Sequence, residues 1–419
     1  YPDDCAFRNF VFEHFRQAAV AFGFEEYDAP VLEPMELFTA KSGDEIVSQL
    51  FNFEDKGGRQ IAMRPEMTPS LARMVGVRAN TLRRPIKWFC ISEMFRYERP
   101  QKGRLRSFYQ FNADIFGNES SYADAEIILL GIHTLKSFGL AALDFHVRLS
   151  DRQLWTLFIR SYNIKEDDIP GALGIIDKIE REEPSKIIEN LNKICGGDGQ
   201  KMFDDLLEIR TIHSVNDIRK FFKRIENDAI GRRIDELEQL LARVEAFGLS
   251  DFVTIDFGIV RGLAYYTGFV FEIFERSGQS RALAGGGRYD NLIKKLGYSD
   301  LPAVGFAIGD VTLGNLLKEK NLIPKLSKNI HCFMVYSSQT EALALGQAMI
   351  LRGQKINTDY CLSQTSFSKQ LKMAAQANAK YAIIFGEDEV KVGCAKVKDM
   401  SSGNEIVVEI DRLTEVISR

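Results

Sequence analysis

Six cysteines are scattered through 419 residues, at positions 5, 90, 195, 332, 361 and 394, with no Cys-x-x-Cys pair and no histidine at ligand spacing beside them. That scatter argues against a disulfide framework and against a zinc site, and leaves the reduced thiols of a cytoplasmic protein as the expectation. The five histidines, His14, His133, His146, His213 and His331, lie equally far apart, so no metal centre is expected. No stretch of about eighteen consecutive apolar residues occurs, which removes a membrane-spanning helix from consideration. Walker-type GxxxxGK and strand-linked GxGxxG loops are both missing, so neither familiar glycine cradle for phosphate is available. There is no internal repeat and no low-complexity tract. Tyr1 rather than Met stands first, and "YPDDCAFRNF" carries acids where a secretory signal carries bases, which points away from export.

What is present is the balance of a soluble globular chain: 45% hydrophobic and 27% charged residues, with a net charge of −4. Single cores rarely grow beyond about 250–300 residues, so this length implies two or three domains. Phe7, Phe10, Val11, Phe15 and Ala18 share one face at helical spacing, and Gly23 supplies a stop. "RQIAMR", "IKWFCISEMFRYE" and "RLRSFYQFNADIFG", rich in aromatic and β-branched residues, read as strands. "SYADAEIILLGIHTLKSFGL" then returns to helical period, with Ser120 or Ser121 as its cap and Gly139 as its stop. From 150 to 250 the chain becomes a series of short, charged amphipathic patterns, the mark of a helical insertion. Strand-like stretches resume at "FVTIDFGIV", "GFVFEIFER", "RALAGGGRYD" and "AVGFAIG". After a linker, "NLIPKLSKN", strands "IHCFMVYS", "INTDYCL" and "YAIIFG" alternate with helical patterns, as in an α/β domain built around parallel strands. The expected division is 1–327 and 328–419.

Charge is concentrated in one place. Residues 83 to 106 hold Arg83, Arg84, Lys87, Arg96, Arg99, Lys102, Arg104 and Arg106 against only Glu93 and Glu98. In an acidic chain that cluster points to a phosphate-rich partner, because the guanidinium fork matches phosphate oxygens and stays charged. A solvated hairpin would look similar on charge alone. "FRYERPQKGR" separates the two readings: Arg96 closes an apolar strand and calls for an anion, while Arg99, Gln101 and Lys102 lie in a loop broken by Pro100 and Gly103. Upstream, "MRPEMTPS" offers Glu66 and Thr68 to a ligand ammonium group, unless Arg64 and Glu66 merely tie a loop together. "AGGGRYDNL" allows close approach of backbone to a flat ligand, though glycines crossing a packed sheet give the same pattern. "VRGLAYYTGFVFE" sets Arg261 beside Tyr265 and Tyr266, a cation next to phenols that can read a small polar ring.

"MRPEMTPSLAR", "FRYERPQKGRLRSFYQF", "RGLAYYTGFVFE", "AGGGRYDNL" and "AVGFAIG", in this order, resemble the signatures of the histidyl-tRNA synthetases, a class II aminoacyl-tRNA synthetase family. The likeness runs along nearly the whole chain, and "LRGQKINTDY" to "GCAKVKDMSSG" is similar to the family's anticodon-binding domain. The resemblance implies an α+β fold: a six- or seven-stranded antiparallel sheet flanked by helices, a helical insertion and a C-terminal α/β anticodon-binding domain, assembled as a homodimer. It implies ATP with Mg²⁺, histidine and tRNA(His) as substrates, with histidyl-adenylate as the intermediate. Carried over by motif, Glu66, Thr68 and Gln110 surround the amino group, and Asp114 and Tyr266, with Tyr265, read the imidazole. Arg96 holds the α-phosphate, Arg104 the distal phosphates, and Arg261 the oxygens on which attack builds charge. Arg99 and Gln101 meet the acceptor end of the tRNA.

Two positions depart from the family pattern. Thr312 stands where "GFAIG" commonly runs on to an arginine, and Ala264 stands where many members carry Asp. These departures keep open a catalytically weak paralogue acting as the regulatory subunit of ATP phosphoribosyltransferase, and a non-enzymatic tRNA-sensing module. The intact RPQKGR loop and the C-terminal domain speak against the first, and the full set Glu66, Arg96, Gln110, Arg261 and Tyr266 against the second. On the predicted helix of the C-terminal domain, Lys369, Gln370 and Lys372 are expected to offer donors to RNA.

Overall fold

The computed structural model describes residues 1–39, 48–98, 105–225, 227–260, 266–277, 281–325 and 330–417. Two compact units divide it, Tyr1–Ile323 and Pro324–Arg419, and the division falls inside "NLIPKLSKN". The first unit's strands are β1 (Glu25–Glu26), β2 (Leu32–Pro34), β3 (Asn52–Glu54), β4 (Gln60–Met63), β5 (Ile86–Phe95) and β6 (Ser107–Phe116). They continue with β7 (Phe145–Asp151), β8 (Val253–Ile255), β9 (Phe269–Glu275), β10 (Ala284–Arg288) and β11 (Ala303–Gly309). Eight of them form one sheet in the order β1-β5-β6-β11-β10-β9-β7-β8, while β2, β4 and β3 make a small sheet of their own.

The six strands from β5 to β7 in that order pair antiparallel, but the edge strands β1 and β8 pair parallel with β5 and β7. The sheet is therefore wider than the six or seven strands expected, and mixed at both edges. The two-residue β1 is too short to display a period-two pattern, and although "FVTIDFGIV" reads as a strand around β8, the parallel pairing of both edges shows only in the fold.

One face of the sheet is covered by helices. Pro2–Ala21 buries Val11, Phe15, Ala18 and Ala19, and Phe15 stacks on Phe111 of β6 at 4.9 Å between ring centroids. Ser121–Ser137 is apolar nearly all round, as a helix inside a core must be. At its middle, Gly131 rests on the sheet so closely that a Cβ would come within 3.2 Å of Ile273. Ser120 occupies the N-cap position, but its hydroxyl donates to Asn118 Oδ1 (2.7 Å) and makes no capping bond.

The stretch between β7 and β8 is indeed helical: Arg152–Arg160, Ile169–Ile176, Pro184–Cys195, Gly199–Ile209, Val215–Phe222 and Asp228–Ala246. It has no core of its own. Trp155, Phe158, Phe221 and Phe222 pack into the same apolar cluster as Phe15, Phe111 and Phe306. Arg233 adds a polar tie, donating to Asp151 Oδ2 through Nε (2.9 Å) and Nη2 (2.5 Å) while its guanidinium lies 3.7 Å from the centre of the Phe269 ring. Asp151 also caps Arg152–Arg160 through Leu154 N (2.6 Å).

In the second unit, β12 (Cys332–Tyr336), β13 (Thr358–Tyr360), β14 (Tyr381–Phe385), β15 (Cys394–Asp399) and β16 (Glu405–Glu409) form a sheet ordered β13-β12-β14-β15-β16. β13, β12 and β14 run parallel, as expected of an α/β domain built around parallel strands; β15 and β16 add an antiparallel edge, joined as a hairpin by a short turn through Gly403 (φ +78°). Helix Phe367–Gln376 corrects an expectation. Gln370 is buried and bonds the backbone of Tyr336 from both ends of its amide (N–H to Oε1 3.0 Å, Nε2 to O 2.7 Å), so only Lys369 and Lys372 face outward.

A buried ion pair bolts the sheet to the helix behind it. Arg288, at the end of β10, donates through Nη2 to Asp124 Oδ2 (2.6 Å) and the Ser120 carbonyl (3.2 Å), and through Nη1 to Asp290 Oδ1 and the Asn118 carbonyl (both 3.1 Å). Both partners of the main pair are almost fully inaccessible. Removing one member of such a pair leaves a buried charge uncompensated, so Asp124→Ala should destabilise the first unit by about 3–5 kcal/mol. Breaking the exposed Lys294–Asp300 pair (2.9 Å) with Asp300→Ala should cost less than about 1 kcal/mol. Denaturant midpoints of the two variants against the parent check the contrast, and equal shifts would refute it.

Candidate active site

The uncovered face of the sheet forms a cleft of about 440 Å³, within the usual range for a small-molecule site. Strand alternation builds its floor. Along β6, Phe111, Ala113 and Ile115 point into the core, so Gln110, Asn112 and Asp114 must point the other way, into the cleft. On the neighbouring β11, Val304, Phe306 and Ile308 belong to the core, and the small residues Gly305, Ala307 and Gly309 line the cleft. The register sets Gly305 opposite Asp114 and Gly309 opposite Gln110.

Asp114 is buried at the deep end, where the hydroxyl of Tyr289 donates to its Oδ1 at 2.5 Å. Gly305 is what gives it room. A Cβ there would fall 1.8 Å from Asp114 Oδ1, a distance no side chain can occupy. Tyr266 lines the cleft as well and packs against the apolar cluster that holds Tyr289 and Phe116. Cys90, opposite Asn112 in the register of β5, offers no nucleophile: burial pushes its thiol up to about 12.

Glu66 and Thr68 enter the cleft from the start of helix Thr68–Arg78. Arg64, two residues earlier, does not tie to Glu66. It is buried and donates to the carbonyls of Glu93 (2.9 Å) and Ala29 (2.6 Å) and to Asp28 Oδ1 (3.2 Å), which makes it a brace for the strand end. Arg96 lines the other end of the cleft, just past β5. Its Nε donates to Pro65 O (2.9 Å), and its guanidinium sits 5.1 Å from the Phe108 ring centre. No carboxylate stands within ion-pair distance of Arg96 among the described residues, so the rest of its fork remains for a ligand. The base of the charged hairpin is held by Arg96 N–H donating to Arg106 O (2.9 Å) and by the Arg106 guanidinium over the Tyr97 ring (4.6 Å).

The structure thus brings Glu66, Thr68, Arg96, Gln110, Asp114 and Tyr266 to one cleft. Arg99, Gln101, Arg104, Arg261 and Tyr265 lie outside the described residues. Sequence reasoning missed Asn112, Glu272, Arg281 and Tyr289, all of which line the cleft. Asn112 follows from the alternation of β6, and Tyr289 sits inside the quoted "AGGGRYDNL". Its bond to Asp114 joins residues far apart in the chain, and no local pattern signals that.

Residues 1–312 match the family model described as histidyl-tRNA synthetase, and residues 326–419 match that of an anticodon binding domain. A histidine–tRNA ligase from Opitutus terrae is 46% identical over 422 aligned positions, covering 100% of this chain and 95% of that protein. The chloroplastic/mitochondrial histidine–tRNA ligase of Arabidopsis thaliana is 38% identical, covering 98% of this chain and 84% of that protein. Among solved structures, the histidyl-tRNA synthetase from Nostoc sp. PCC 7120 superposes with a TM-score of 0.80 at 23% identity, over 98% of this chain and 94% of that one, a likeness of fold. Matched by the family model over most of its length and by a relative from end to end, the chain belongs to the histidyl-tRNA synthetase family.

Proposed function

We propose that this protein activates histidine with MgATP and transfers the histidyl group to the 3′ end of tRNA(His). The observation that carries the reading is the polarity of the cleft: a buried carboxylate, Asp114, braced by Tyr289 at one end, and a guanidinium, Arg96, at the other. A carboxylate held by a phenol accepts the imidazole N–H, and Tyr266 completes the ring's surroundings. Glu66, Thr68 and Gln110 line the middle, where the substrate ammonium group sits. Its carboxylate then faces Arg96.

In the first step a carboxylate oxygen of histidine attacks the α-phosphorus, and the bond to the bridging oxygen breaks. Pyrophosphate leaves with the electron pair and its Mg²⁺. Such chemistry asks the protein for positioning and charge neutralisation more than for a base. Arg96 and Arg261 serve the α-phosphate and Arg104 the distal phosphates. In the second step the terminal ribose hydroxyl of the tRNA attacks the acyl carbon, and AMP leaves. Arg99 and Gln101 belong to this step, at the acceptor end. The second unit reads the anticodon, and the enzyme works as a homodimer in the cytoplasm, where its six free cysteines stay reduced. The regulatory-subunit alternative is disfavoured by the full-length relatives named histidine–tRNA ligase and by the anticodon-binding match.

Histidine-dependent ATP–pyrophosphate exchange is the direct test. Folded protein that shows none, with histidine, ATP and Mg²⁺ supplied, would sink the proposal. A site that hydrogen-bonds its substrate rejects analogues lacking the group by about 10⁴–10⁵, so Asp114→Ala should lose most of that discrimination for histidine while its KM for ATP stays unchanged. Gly305→Ala, which drives a methyl into Asp114 Oδ1, should likewise weaken the discrimination for histidine. If both variants keep the parent's amino-acid preference, Asp114 is not the reader. Because each unit has its own apolar core, a chain ending at Ile323 should retain exchange and lose tRNA charging. A folded truncation that charges at the full-length rate would remove the anticodon role.

A further inference from the structure

We propose that Arg281 is a phosphate-binding residue of the cleft, a further guanidinium that grips the nucleotide from the flank opposite Arg96. The assignment rests on reading the cleft as an adenylate-forming site. Charge motivates it first. Among the described lining residues, Glu66, Glu98, Asp114 and Glu272 are carboxylates, and a nucleoside triphosphate brings several further negative charges. Only Arg96 and Arg281 oppose them among the described residues.

Strand order decides where Arg281 acts. The central run is β5-β6-β11-β10. Arg96 follows the last residue of β5, at the end of the sheet where Ser92 pairs with Gln110 and Gln110 with Gly309. Leu283, just before β10, accepts a hydrogen bond from Gly309 N (3.4 Å), so the chain carrying Arg281 enters the sheet at this same end. Two strands separate the flanks, which sets the β5 and β10 backbones about 14 Å apart at the usual strand spacing. Long side chains leaning in from either flank therefore address one space above Gln110 and Gly309. Asp114 and Tyr289 lie toward the opposite end, so this space is reached by the nucleotide and not by the imidazole.

The neighbouring position cannot supply the charge. Thr312, in the first turn of helix Asp310–Glu319, lines the same end of the cleft but presents a hydroxyl. Arg281 is exposed as a residue yet borders the cleft, as a side chain that meets a ligand from solvent must. A planar fork there can take two phosphate oxygens at once, which Thr312 cannot.

The test is steady-state ATP–pyrophosphate exchange in Arg281→Ala, Arg281→Lys and the double variant Arg281→Ala/Thr312→Arg, with calorimetric binding of a non-hydrolysable ATP analogue alongside. Losing a charge-stabilising donor typically costs about 10²–10³, so kcat/KM for ATP should fall by that order in Arg281→Ala while the histidine KM is unchanged. Analogue affinity should fall in parallel. Lysine should recover part of the loss, since it keeps the charge and not the fork, and Thr312→Arg should recover activity by returning a guanidinium from the adjacent strand end. An active parent with an Arg281→Ala variant indistinguishable in ATP kinetics and analogue binding would overturn the assignment of Arg281 alone. Equal losses for histidine and ATP, accompanied by a lower unfolding midpoint, would overturn it too by making the residue structural. A parent with no histidine-dependent exchange would instead overturn the reading of the cleft on which the assignment stands.

Discussion

Where β6 pairs with β11, Gly305 lies opposite Asp114 with no atom to spare between them, and the depth of the cleft follows from that contact. Any side chain at 305 would lift the carboxylate off the floor, and with it the bond from Tyr289 that holds it. The period of a strand does the rest. One face of β6 must be apolar enough to meet Phe15 and the helix Ser121–Ser137, so a row of hydrogen-bonding groups is left to the other face at fixed spacing. Recognition and core packing are two sides of the same ten residues.

The back of the sheet uses charge differently. Arg288 with Asp124, and Arg233 with Asp151, are pairs withdrawn from water, and each joins a strand end to a helix. Such pairs cost desolvation and return it only when every nitrogen is satisfied, which Arg288 achieves with two carboxylates and two carbonyls. These two cations are satisfied internally behind the sheet, whereas Arg96, in front, keeps part of its fork for what enters from outside.

How much of this the sequence discloses depends on how local the cause is. The long strands β5, β6 and β9 and the helix Ser121–Ser137 carry their periods openly, whereas Glu66, Gln110 and Asp114 are singled out by the family motifs rather than by any period. β7 escapes notice between a helix and the insertion, β1 is too short for any period, and β8 is legible only as part of "FVTIDFGIV". Parallel pairing at the edges is a tertiary event. Gln370 misleads for a related reason: two lysines beside it suggest a solvent-facing stretch, yet its amide bridges both backbone groups of Tyr336. Arg281 opens the stretch "RALAGGGRYD", but nothing in that stretch says what it faces, and the order of strands does.

The connection between β6 and β11 has a consequence for how the chain is made. β6 ends at Phe116, while β11 begins only at Ala303, after the entire run of helices between β7 and β8 has been synthesised. Until then the nascent β5–β6 hairpin has an open outer edge, with the aromatic face of β6 waiting for partners and its backbone groups unpaired. In the finished unit the helices synthesised in between bury their apolar faces in the same core as that hairpin. The ligand site is consequently among the last features of the unit to exist. It is completed by the arrival of a short glycine-containing strand, and a chain released from the ribosome before Gly309 carries every residue of β6 without forming the cleft floor.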